Sequence, residues 1–92
     1  MAQSVKGYIT SVRNYELTVR PTGTQWSISI REVTSGDWME PLHDFANTLE
    51  EAQLRACRRA SHLADMHIEQ SAVGDPCVEM LHHWVEIDLR SN

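Results

Sequence analysis

The chain has 92 residues, of which 41% are hydrophobic and 23% charged, with a net charge of −5 and a pI near 5.4. This length fits one domain, residues 1–92, with a core that buries about 60 to 70% of the unfolded surface, and the composition excludes disorder and low-complexity architecture. The acidic balance opposes non-specific binding to nucleic acid or anionic membranes and suits a cationic partner. No stretch approaches the roughly 18 apolar residues of a membrane span, and MAQSVKGYITSVRN lacks the apolar run of a signal peptide. A soluble, cytoplasmic protein is expected. Cys57 and Cys77 show neither C-x-x-C nor Cys/His finger spacing, so both are expected to be reduced core or boundary residues.

In chain order, residues 1–13 are ambiguous. Val5, Tyr8, Ile9 and Val12 have helical spacing, yet Gly7 and the β-branched residues suit a short strand or an ordered arm equally well. Tyr15, Leu17 and Val19 then alternate with polar residues, Pro21 to Thr24 reads as a turn, and Trp26, Ile28 and Ile30 resume the alternation. This is a β-hairpin with one apolar face. Arg20 and Arg31 belong to its other face. After Thr34-Ser35-Gly36-Asp37, the segment Trp38 to His43 holds Pro41, which cannot donate to a ladder, so a third strand there is short and at an edge.

Phe45 to Glu69 reads as one amphipathic helix starting at Thr48. The Thr48-x-x-Glu51 spacing forms a capping box, Glu50 and Glu51 suit the positive end of the dipole, and Arg55 pairs with Glu51 at i,i+4. Leu49, Ala52, Ala56, Ala60, Leu63 and His67 form its inward stripe, flanked by Gln53, Cys57 and Ala64. A stripe of alanines lets the helix axis approach a sheet that supplies the bulky side chains. The expected core is Leu17, Val19, Trp26, Ile28, Ile30, Phe45, Leu49, Ala52, Ala56, Ala60 and Leu63.

Ser71 to Gly74 reads as a loop, with Asp75 as N-cap and Pro76 as first helical residue. Beyond Cys77 two periods compete. Val85, Ile87 and Leu89 alternate as a strand would, whereas Glu79, His82, His83, Glu86 and Arg90 fall on one helical stripe. A second helix over 76–90 is expected. Such a helix is apolar around more of its circumference than one small sheet covers, so Met80, Trp84 and Ile87 are expected to form the interface of a homodimer centred near Trp84.

Five histidines raise the question of a metal. His62, Asp65 and Glu69 share a helix face, and His82 and His83 adjoin Glu79 and Glu86, but no local stretch supplies a tetrahedral set, so no metal or cofactor is expected. A catalytic Cys57 lacks a basic partner in the pattern, and there is neither a phosphate loop nor a nucleophile elbow. The chain is expected not to be an enzyme. As a nucleic-acid binder, the alternative reading, it would use Arg55, Arg58 and Arg59, although Glu50 and Glu51 open the helix where lysines would serve such a reader.

From Tyr15 to about Leu63, the hairpin with its central Trp26, the Phe-x-x-Thr-Leu-Glu-Glu-Ala segment (Phe45 to Ala52) and the alanine-spaced helix resemble the HicB-like domains and several short bacterial families of hairpin-then-helix layout. The resemblance implies an antitoxin-type protein that binds and inhibits a small basic RNA-cleaving toxin. Gly36 to Pro41 departs from the family's Pro-x-Leu-Pro-Gly-Cys-like stretch, and no appended DNA-binding unit is evident. The expectation is therefore an α+β domain: an antiparallel sheet of three strands, or four, covered on one face by a long amphipathic helix, with a second C-terminal helix. Its expected role is a non-enzymatic protein-interaction module.

Overall fold

Alternation carries the first half of the chain into strands. In the computed structural model, which describes residues 6–64 and 76–88, β1 (Lys6–Val12), β2 (Tyr15–Thr22) and β3 (Gln25–Glu32) form an antiparallel meander. Both hairpin loops are two residues long, between the pairs Val12↔Tyr15 and Thr22↔Gln25. Each opens on a positive φ, +60° at Gly23 and 55° at Arg13. Glycine takes that conformation without steric cost, whereas arginine does so against the preference of an L side chain. Within the described residues, the ambiguous first segment is thus a strand over Lys6–Val12.

A short β4 (Asp44–Ala46) follows, then α1 (Leu49–Leu63), α2 (Pro76–Glu79), a 3₁₀ turn over Met80–His83, and β5 (Val85–Asp88). The sheet order is β4-β3-β2-β1-β5, with every pairing antiparallel. The fold is α+β, and its sheet is larger than expected. Thr48 caps α1, its Oγ1 accepting from the Glu51 N–H at 3.1 Å, and Glu51 pairs with Arg55 at 2.9 Å. Within the described residues α1 ends at Leu63; the expected continuation to Glu69 and the loop over 71–74 lie outside them.

Ala52, Ala56 and Ala60 are fully buried against Leu17, Val19, Ile28 and Ile30, none of which exceeds 1% exposure. Small residues on the helix and branched ones on the sheet make a close seam. The stripe turns further than expected toward Gln53, Cys57 and Ser61, all buried, because that flank of α1 packs against α2 and the 3₁₀ turn. Leu63 is correspondingly 39% exposed.

The expected second C-terminal helix is present, and only its extent over 76–90 is corrected: α2 and the 3₁₀ turn stop at His83, and Val85 to Asp88 pair with Ile9 to Lys6. The physical reason is that β1 presents a free edge on the side away from β2, and backbone pairing along it satisfies groups that an isolated helical turn would leave to water. The reduced state expected for the cysteines is also corrected. Cys57 and Cys77 form a disulfide with Cα atoms 5.7 Å apart, fastening α2 to α1. Among the described residues no helix is long and apolar enough to cross a membrane.

Candidate functional site

Only one face of the sheet is covered by a helix among the described residues. Leu17↔Ile30 and Val19↔Ile28 face α1, so the alternate residues point to the other side. Register partners share a face, which places three rows there: Val85–Ile9–Thr18–Ser29, Arg20–Ser27–Phe45, and Glu16–Arg31–Trp38. Its centre is polar and includes the Arg31–Glu16 pair at 3.4 Å. Its flanks are apolar, with Ile9, Val85 and Ile87 on one side and Trp38, Leu42 and Phe45 on the other.

Several of these side chains stand in solvent: Val85 is 60% exposed, Leu42 57%, Trp38 50% and Phe45 40%. Trp38, Met39, Pro41 and Leu42 line, with Arg20 and Ser29, a groove of about 340 Å³. Arg20 is exposed, and among the described residues no hydrogen bond or ion pair engages its guanidinium.

The segment carrying Trp38 and Leu42 is tied down on several sides. Trp38 bridges to Arg31, the Met39 N–H donates to Ile30 O at 2.8 Å, and Arg59 Nη2 donates to Glu40 O at 2.6 Å. Asp44, inward in β4, receives Arg55 at 3.2 Å and Arg59 at 2.9 Å, while Arg55 also donates to Phe45 O at 2.6 Å. The clamp joins the covered side of the sheet to the strand whose Phe45 faces outward. A surface held in place before a ligand arrives loses less entropy on binding.

The same clamp bears on the arginines expected for nucleic acid. Arg55, Arg58 and Arg59 do come together, lining with His62, Glu40 and Glu51 a cleft of about 490 Å³. Arg55 and Arg59 are engaged by Asp44, Glu51 and backbone carbonyls, and the cleft carries its own carboxylates. Guanidiniums already paired within the fold have little charge left for phosphates.

The expected interface residues divide. Met80 and Trp84 are half-buried against the core, with Met80 Sδ 3.6 Å from Cys57 Sγ, whereas Ile87 pairs with Gly7 and lies on the uncovered face. The wide apolar helix surface from which that interface was inferred does not form. Among the described residues no group of three or more His, Cys, Asp or Glu could hold a metal ion; Asp65 and Glu69 lie outside them.

Sequence reasoning missed Trp38, Leu42 and Phe45 as one surface, and Val85 on the opposite flank of the same face. A signal was present for Phe45, because the capping residue Thr48 starts the helix three positions later and leaves Asp44-Phe45-Ala46 free to alternate as a strand. No family model, curated protein or solved structure matches the chain.

Proposed function

We propose that the domain is a non-enzymatic protein-interaction module that receives a partner protein on the uncovered face of its sheet. The observation that carries this reading is the grouping of exposed Trp38, Leu42 and Phe45 on the β3–β4 flank of that face, with exposed Val85 on its opposite flank. Exposed apolar clusters with an aromatic anchor are typical of interface centres. Four interstrand spacings make the face about 19 Å wide and seven residue steps make it about 24 Å long, which suits a protein better than a small ligand. The specific form of the proposal is the HicB-like one, in which an acidic domain of net charge −5 holds a small basic protein. Nucleic-acid binding is less favoured because Arg55 and Arg59 are engaged inside the fold.

Homodimerisation through Met80, Trp84 and Ile87 is not part of this reading, since those residues do not share a surface. A cytoplasmic setting is part of it, although cytosolic thiol systems would keep Cys57 and Cys77 reduced. Thiol labelling of the protein in its native cells reads the state of the bond, and cell fractionation reads the compartment.

The test compares the wild-type domain with Trp38→Ala/Phe45→Ala, both immobilised and exposed to native cell extract, alongside salt titrations with single- and double-stranded nucleic acid. A discrete protein retained by the wild type and lost by the variant, at equal helical circular dichroism, supports the proposal. Tight nucleic-acid binding with a steep salt slope, or equal retention by both proteins, overturns it.

A further inference from the structure

Among the described residues the sheet has an unoccupied edge of definite chemistry. β5 lies outermost next to β1, and among the described residues no strand pairs with its outer side. Its four residues alternate, with Val85 and Ile87 on the uncovered face beside Ile9, and Glu86 and Asp88 on the opposite face. Glu86 is half-exposed and lightly held, 3.3 Å from Lys6 Nζ and 3.4 Å from the Tyr8 hydroxyl. An edge strand offers unpaired N–H and C=O groups in register, and another chain can extend the sheet there.

The charge pattern selects the incoming strand. If β5 paired antiparallel with β5 of a second copy, residues sharing a face would have to meet. In the two such registers that pair three of the four residues of β5, Glu86 stands against Glu86 or against Asp88 of the other chain, and like charges directly opposed are destabilising. A second copy is therefore disfavoured at this edge. A strand with lysine or arginine at every second position places its cations opposite Glu86 and Asp88. If its remaining residues are apolar, they continue the surface of Val85, Ile87 and Ile9.

We infer that β5 is a docking edge for a strand of another protein in which basic and apolar residues alternate. The inference rests on the protein-binding reading above and deepens it, since it states how the partner's backbone is held and why that partner is basic.

The probes are labelled peptides of roughly eight residues, long enough to overhang the strand: one alternating Val and Lys, one alternating Val and Glu, and a Val–Lys version N-methylated at every backbone amide. They are titrated against the wild-type protein and Glu86→Lys/Asp88→Lys. The wild type is expected to bind the Val–Lys peptide at least about tenfold more tightly than the Val–Glu peptide, and the charge-reversed variant is expected to invert that preference. N-methylation, which removes the backbone donors, is expected to abolish binding. Several results would overturn the inference: no binding of either charged peptide, equal binding of the N-methylated one, or a preference unmoved by charge reversal. Retention of a partner sensitive to Trp38 and Phe45 alongside any of these would sink the edge while leaving the wider reading intact.

Discussion

Replacing Cys57 and Cys77 together by alanine isolates what their disulfide contributes. The bond closes a loop with a sequence separation of 20, and both residues are 1% exposed. In the chain-entropy account, cross-linking such a loop removes about 11 cal/mol/K from the unfolded ensemble, or about 3 kcal/mol at 25 °C. Native packing changes little by comparison, because each alanine leaves only a sulfur-sized gap. Domains of this length have total stabilities of about 5 to 14 kcal/mol, so the loss is a large share. Urea unfolding, followed by circular dichroism, should show the double variant and the reduced wild type displaced together from the oxidised protein by about 3 kcal/mol. Identical midpoints for oxidised and reduced wild type, with no free thiols in the oxidised sample, would refute the reasoning.

Ala56 is fully buried in the seam between α1 and the sheet, so Ala56→Leu should overfill it and cost about 1 to 3 kcal/mol in a urea melt; unchanged stability would mean that α1 does not sit this close. The Trp84 indole N–H is buried without a hydrogen-bond partner among the described residues, so Trp84→Phe, which removes the donor and keeps a six-membered aromatic ring in its place, should change the thermal midpoint by less than about 1 kcal/mol equivalent. A loss as large as that of Trp84→Ala would show that the N–H is bonded.

The parts of the fold legible in the sequence were those set by local pattern. Tyr15, Leu17 and Val19 against Trp26, Ile28 and Ile30 specify a hairpin, and Thr48 with Glu51 specifies where α1 begins, because each signal lies within a few residues. Val85 to Asp88 carried both periods at once, and the competition was decided by β1, a strand that no local window contains. The disulfide was hidden for a similar reason: a separation of 20 says nothing about pairing until α2 folds back against the Cys57 side of α1. Of the candidate face, the polar central positions and the placement of Arg20 and Arg31 followed from alternation. The exposure of Trp38 and Leu42 depends on how Arg59 and Arg31 hold an irregular segment.

The pairing of β5 with β1 also has a consequence for the order of assembly. Tyr8 and Glu86 meet across 78 positions of sequence, whereas β1, β2 and β3 are joined by two-residue loops. During translation, the meander and α1 can therefore associate while the outer side of β1 is still bare, and contacts of such high sequence separation slow the final step. Until residue 88 leaves the ribosome, the nascent domain carries its open edge on β1, beside Lys6 and Tyr8. Once β5 docks, the edge moves outward by one strand and acquires the acidic residues Glu86 and Asp88.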